Sequence, residues 1–157
     1  MTARQLPSPT WPPPGSRPPG PTTAGPRQKG TTLSDSIRLG SVAVNCSDAA
    51  ELAAFYATII GGRITFSGSA WATVDGPGGR IDFQTVPDHT PPTWPEGTSP
   101  SQLHLDFVVD DLAAAEARVL AAGATRYQFQ PNAGHCLVFA DPAGHPFCLT
   151  TWEDVAP

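Results

Sequence analysis

Two side chains separated by one residue on a strand point to the same side of it. The run His104-Leu105-Asp106-Phe107 places an imidazole and a carboxylate in that relation. An imidazole titrates near neutral pH, and a carboxylate beside it can fix its orientation. His104 with Asp106 could therefore work as a general base or hold a polar ligand; the alternative is a histidine satisfied by a neighbour. Gln84 carries both a donor and an acceptor and could bind a ligand through them, or it could make a cross-strand amide contact. Cys148 would be a reactive thiol only if exposed beside positive charge, which nothing local supplies. Otherwise it is a small buried residue, as Cys46 and Cys136 also read. Trp71 could stack on a planar ligand or pack in the core, and Trp94 sits on a loop that could cover an opening. His145 follows Asp141-Pro142-Ala143-Gly144 and reads as a turn residue, and His89 as a solvated loop residue. The sequence contains no G-x-S-x-G, no Walker-type glycine loop and no H-E-x-x-H. Gly76, Gly78 and Gly79 lie between strands rather than before a helix, which argues against a phosphate cradle.

These residues must be positioned by regular elements, and the pattern repeats. Ile37, Leu39, Val42 and Val44 mark a strand running to Cys46. Asp48 stands three residues before Glu51, a capping arrangement that opens a helix. Leu52, Phe55, Tyr56, Ile59 and Ile60 then fall on one helical face, and Gly61-Gly62 ends it. Strand-like runs follow at 63–66, 71–74 and 80–86, the last two joined by a glycine-rich turn. The second half predicts a strand at 103–109 and a helix capped by Asp110-Asp111. The buried face of that helix is Leu112, Ala115, Val119 and Leu120, and Gly123 stops it. Strands are expected at 125–129, 136–140 and 146–151. Ser41 precedes Asp48 by the same interval as His104 precedes Asp111, and Phe83-Gln84 can be laid over Phe147-Cys148. The chain thus reads as two βαβββ units, about 36–86 and 102–152, joined by a linker at 87–101. Two such sheets would form a curved cleft with helices on the outside.

Composition separates this domain, 34–157, from what precedes it. The chain has 157 residues with 19 Pro, and nine of the prolines fall between Pro7 and Pro26. Residues 1–33 hold Arg4, Arg17, Arg27 and Lys29 and no acid, while the remainder holds all 14 acids. Such a segment cannot bury enough apolar surface to offset its ordering entropy, so it reads as a disordered proline-rich tail or as a docking peptide anchored by Trp11. An acidic domain argues against a nucleic-acid surface. No apolar run reaches the ~18 residues of a membrane span, and no signal-peptide core is present. Three cysteines do not make a disulfide framework, which points to the cytoplasm.

The run from Asp48 through Phe55-Tyr56 to Gly61-Gly62, then His104-Leu105-Asp106-Phe107 with Asp110-Asp111-Leu112, then Asp141-Pro142-Ala143-Gly144-His145-Pro146-Phe147-Cys148-Leu149, resembles the glyoxalase-like members of the vicinal oxygen chelate superfamily. That superfamily includes glyoxalase I, bleomycin-resistance proteins and extradiol dioxygenases. The resemblance covers about 36–152. It implies an α+β fold of two βαβββ modules around a U-shaped cleft. Metal-using relatives place a ligand on the first and fourth strand of each module, which here implies Ser41, Gln84, His104 and Cys148. Only His104 is a strong ligand, and a hard or borderline divalent ion wants several imidazoles and carboxylates. The expectation is therefore a protein without a cofactor that binds a small apolar or aromatic molecule in the cleft. Gln84, His104, Asp106, Trp71 and Cys148 would contact that molecule, with His104 as the one candidate catalytic group. The alternative is a lyase, isomerase or dioxygenase using a divalent metal around His104 and Gln84. Relatives often pair modules between chains, which implies a possible homodimer.

Overall fold

The computed structural model describes residues 37–151. The tail at 1–33, with its expected disorder and docking role, lies outside the described residues, as do 152–157. In chain order the elements are β1 (Val42–Cys46), α1 (Ala49–Ile60), β2 (Arg63–Ser67), β3 (Trp71–Gly76) and β4 (Gly79–Thr85). There follow β5 (Leu105–Val108), α2 (Leu112–Ala121), β6 (Thr125–Arg126), β7 (Cys136–Ala140) and β8 (Pro146–Thr150). The two four-stranded sheets have the orders β1-β4-β3-β2 and β5-β8-β7-β6. In each, the first strand runs parallel to the fourth, and the other neighbours are antiparallel. The duplicated βαβββ architecture is therefore real. Among the described residues no helix is long and apolar enough to cross a membrane.

Local chemistry explains where the helices begin and end. The Asp48 carboxylate accepts from Ala50 N and Glu51 N, each at 2.9 Å. Asp111 does the same for Ala113 N at 2.8 Å and Ala114 N at 3.1 Å. Both carboxylates satisfy N–H groups that the helix itself leaves free. Gly61 closes α1 in the left-handed conformation, φ 65°, which costs glycine nothing.

Alternation divides each sheet into a helix-covered face and a helix-free face. In the first sheet Ala72, Val74, Ile81 and Phe83 are buried in the core, while Trp71, Thr73, Asp82 and Gln84 point the other way. In the second, Leu137, Phe139, Phe147 and Leu149 join the same core. Asp106, Cys136 and Cys148 take the opposite face. The aromatic ring of Tyr56 links the two halves. It stacks on Phe83 at 5.2 Å and lies 6.0 Å from Phe107 and 6.3 Å from Phe147. Helix α1 is thus more than an outer cover for its own sheet, since Phe55 and Tyr56 also pack on the second module.

Several expectations need correction. The first strand starts at Val42, not Ile37, and Leu39 is 85% exposed, because no partner strand extends that far. Leu120 is 43% exposed, so α2 buries Val119 rather than both. The strand expected over 125–129 is two residues long. Beyond it the Gln130 side chain takes over the edge of β7. Its amide donates to Tyr127 O and Val138 O and accepts from Val138 N, each at 2.8 Å. A side-chain amide thereby satisfies the backbone groups that a longer strand would have paired.

Candidate functional site

The end of β1 and the start of β5 bound a cavity of about 500 Å³. Ala43, Asn45, Tyr56, His89, His104 and His145 are among its walls, and linker residues from Asp88 to Ser101, with Gln102 and Leu103 beyond them, close one side. The linker is held in shape by Thr93, whose N–H and hydroxyl both donate to Ser99 O. Trp94 lies within that loop, its ring 6.5 Å from Tyr127. It does not line this cavity. A second cavity of about 680 Å³, lined by Ser41, Ile59, Arg80, Asp106, Phe107 and Arg118 among others, opens where β1 and β4 face β5 and α2.

A buried carboxylate organises one wall of the first cavity. Asp141 stands at the start of the β7–β8 turn. Its Oδ1 accepts from Ala143 N and His145 N, each at 2.9 Å. Its Oδ2 accepts from the Tyr56 hydroxyl at 3.0 Å. The His145 ring is fixed at both nitrogens, Nδ1 at 2.9 Å from Asp141 Oδ2 and Nε2 at 2.9 Å from Asn45 O. His145 therefore has the turn role its position suggests and also joins the second module to β1. His89 is half-buried rather than solvated, with Nε2 2.9 Å from Ala143 O and its ring 5.0 Å from that of His145. Asp141, Tyr56 and His145 are the functional candidates that sequence reasoning missed. The only local signal was a turn aspartate followed by a histidine.

Burial, and then the charge of and hydrogen bond to Asp141, push the Tyr56 hydroxyl well above the ordinary phenol range. The unfolded chain releases this proton near pH 10, while the folded protein keeps it. Above pH 10 the unfolded state binds fewer protons, so stability falls as pH rises, by up to about 1.4 kcal/mol per pH unit from this group. Below pH 10 the contribution is intact. Urea titrations between pH 9 and 11 should show the loss, and Tyr56→Phe should flatten its slope.

The expected site residues fall into two groups. On the second sheet His104, Asp106 and Cys148 bring one ligand atom each to within 4.8 Å of one another. His104 Nε2 lies 3.4 Å from Asp106 Oδ1, and Asp106 is the strand partner of Cys148. Cys148 is buried, and Cys136 lies diagonally beside it on the same face of the sheet. The Cys136 thiol, burial and the Asp106 charge hold the Cys148 thiol protonated far above its ordinary range. The neighbouring Cys148 S–H in turn lowers the Cys136 thiol. Gln84 and Trp71 are cross-strand partners on the first sheet, and neither lines either cavity. The Trp71 indole donates to Thr73 Oγ1 at 3.3 Å, and Thr73 donates to the buried Asp82 at 2.6 Å.

Strand pairing also revises the overlay of the two halves. With Ser41 equivalent to His104, the parallel registers make Asp82 the counterpart of Cys148, and Gln84 the counterpart of Thr150. The first-module position that would carry a ligand is then an aspartate tied to Thr73. The ligand set of metal-using relatives is not reproduced. The groups around His104 are one carboxylate and one thiol, a donor set unlike the oxygen and imidazole sets that suit hard divalent ions.

Several solved structures share this fold. The fosfomycin resistance protein FosX from Listeria monocytogenes superposes with a TM-score of 0.56 at 17% identity, covering 73% of this chain and 93% of that one. A glyoxalase/bleomycin resistance protein/dioxygenase family enzyme from Burkholderia phytofirmans PsJN gives 0.55 at 19% identity, covering 70% and 94%. The oxidase ChaP-H2 gives 0.54 at 24% identity, covering 74% and 94%. No curated protein matches the sequence significantly. Residues 41–150, and with them every strand and helix described above, match a glyoxalase-like domain family, and the chain belongs to that family.

Proposed function

We propose that this protein binds a small apolar or aromatic molecule in the 500 Å³ cavity between its modules, without the hard divalent ion that metal-using relatives employ. The observation that carries this reading is the cavity wall itself. Three imidazoles, of His89, His104 and His145, face a space of the size that small ligands occupy, and Pro92, Pro146, Leu103 and Leu105 supply apolar surface. His145 is fixed by Asp141 and Asn45, so its position costs no ordering when a ligand arrives. His104 is half-exposed in the same wall, with Nε2 3.4 Å from Asp106 Oδ1. The reading places the protein in a reducing cytoplasm, which its three free cysteines suit. The alternative, a divalent-metal-dependent lyase, isomerase or dioxygenase, would need Gln84 or Asp82 of the first sheet to join His104.

The test uses the full chain with the aromatic anion 8-anilinonaphthalene-1-sulfonate as probe. Saturable binding with one site per chain is expected. His104→Ala should weaken it about tenfold, the loss of one hydrogen bond to a charged group. Ala43→Trp, which fills the cavity mouth, should abolish it. Binding that ignores both substitutions would refute the assignment.

A further inference from the structure

The two halves of the duplicated fold are not equally filled. With the N-caps Asp48 and Asp111 overlaid, Leu52, Phe55, Tyr56 and Ile59 of the first half correspond to Ala115, Arg118, Val119 and Ala122 of the second. All four of the first set are buried, whereas Val119 is the one buried residue of α2. Alanine cannot reach across the gap that leucine or isoleucine fills, so a void remains beside α2. That void is the second cavity, of about 680 Å³. Its apolar wall comes from both modules: Ile59 and Ile60 at the end of α1, Ile81 in β4, Val119 in α2 and Leu149 in β8. Phe107 is the one aromatic residue of that wall, whereas the first cavity has three imidazoles and the Tyr56 phenol. Branched aliphatic walls suit an aliphatic occupant. Charge narrows its class further. Arg80 borders the cavity but is neutralised by Asp75, with Nε 2.8 Å from Oδ1 and Nη2 3.3 Å from Oδ2. Arg118 borders it too and has no carboxylate partner among the described residues, since Glu116 is taken by Arg126 at 2.9 Å. Asp106 is also at the wall, but strand alternation turns its carboxylate to the helix-free face, 3.4 Å from His104 Nε2. From residue 34 onward the chain holds 14 acids against five arginines, so a guanidinium left without an acid here matches an anion from outside. Leu39 and Val108 stand exposed at the rim, a further apolar surface without a protein partner.

We infer that the second cavity is a binding site for a medium-chain aliphatic carboxylate, with Arg118 pairing its head group and the branched side chains of both modules holding its chain. The volume lies within the range of small-ligand pockets. A guanidinium can meet a carboxylate with two parallel N–H bonds, and the chain covers apolar wall that would otherwise face water with few polar partners. No covalent step is involved. This goes beyond the proposal for the first cavity, does not rest on it and uses none of its imidazoles.

The experiment titrates the full chain with decanoate by isothermal calorimetry, below the concentration at which decanoate forms micelles. Saturation at one site per chain is expected. Decanol, of equal length without the charge, should bind about tenfold more weakly, the effect of one hydrogen bond to a charged group. Between octanoate and dodecanoate, affinity should rise about fourfold for each methylene. Arg118→Gln should weaken decanoate about tenfold and leave decanol unchanged. Arg126→Gln, which removes a guanidinium already paired with Glu116, should leave both unchanged. Ala115→Phe, which puts a ring into the void, should abolish binding of both, and Ser41→Trp at the wall serves as the blocking variant should Ala115→Phe unfold. Far-ultraviolet circular dichroism establishes that each variant is folded; Arg118 is exposed, so its replacement leaves the core intact. An arginine that serves only to offset the dipole at the C-terminus of α2 would lower stability when replaced and leave decanoate affinity unchanged, and that result would overturn the site. So would the absence of saturable binding, or co-sedimentation with phosphatidylglycerol vesicles that decanoate does not displace, which would mark a membrane patch instead. Ala43→Trp, which fills the first cavity, should leave decanoate binding intact, and its loss there would move the ligand to the first cavity and overturn the assignment. Because Ala43→Trp and Arg118→Gln act on different cavities, failure of this site and failure of the first-cavity reading are separately visible.

Discussion

Replacing Asp141 with alanine should destabilise the fold by about 3–5 kcal/mol, the usual result of removing one member of a buried charged network. The carboxylate is buried and receives four groups: the Tyr56 hydroxyl, two backbone N–H groups of its own turn, and Nδ1 of His145. Truncation leaves these donors in a space where water cannot replace their partner, and each unsatisfied donor carries its own desolvation cost. Asp141→Asn retains an acceptor on one side and should cost less, about 1–3 kcal/mol. Urea denaturation followed by circular dichroism distinguishes the two, with the midpoint shifting and the slope unchanged. The same substitution should also loosen the cavity wall, because Asn45 O would then be the remaining hydrogen-bond partner of the His145 ring. If Asp141→Ala shifts stability by under 1 kcal/mol, the network does not join the modules as described.

The parts of this architecture that depend on neighbours in sequence were legible there. Asp48 and Asp111 announce their helices because a capping side chain bonds to N–H groups two and three residues on. The apolar spacing from Leu52 to Ile59 fixed the buried face of α1. The limits of β7 were also readable, since Cys136 to Ala140 lies between a loop and an Asp-Pro turn. The remainder depended on pairing across the chain. Leu39 looks like strand because it is apolar, yet a strand needs a partner, and β4 pairs only as far as Val42. The sequence overlay aligned Phe83-Gln84 with Phe147-Cys148 on the shared phenylalanine, and the registers show an offset of two residues. The structure, through the alternation of Arg80, Asp82 and Gln84 against Ile81 and Phe83, adds Asp82 to the helix-free face. Asp141 read as a turn residue, and it is one. Its bond to a tyrosine 85 positions earlier leaves no local trace. The grouping of His104 with Asp106 followed from strand periodicity and that of Cys148 from the family resemblance, whereas the place of Cys136 diagonally beside Cys148 required the sheet.

Phe147→Ala should be the most damaging single substitution in the core, at about 3–5 kcal/mol. The side chain is fully buried, and its ring contacts four others: Phe139 at 5.7 Å, Phe55 at 5.9 Å, Phe107 at 6.0 Å and Tyr56 at 6.3 Å. Two of these partners belong to α1 of the first module and two to the second sheet, so the cavity would open at the junction between the halves. Neither half can collapse into it without moving the other, which places the cost at the upper end of the range. Phe147→Leu preserves most of the volume and should cost less than about 1.5 kcal/mol. Phe147 and Asp141 share Tyr56 as a neighbour, so Phe147→Ala and Asp141→Ala should not add independently. A double-mutant cycle should return a coupling of about 0.5–3 kcal/mol. Far-ultraviolet circular dichroism and tryptophan fluorescence should report one unfolding transition in the parent protein, because α1 commits both sheets to the same core. A parent that unfolds in two separated steps, or a coupling indistinguishable from zero, would show that the modules are stable independently and that Tyr56 does not bind them into one unit.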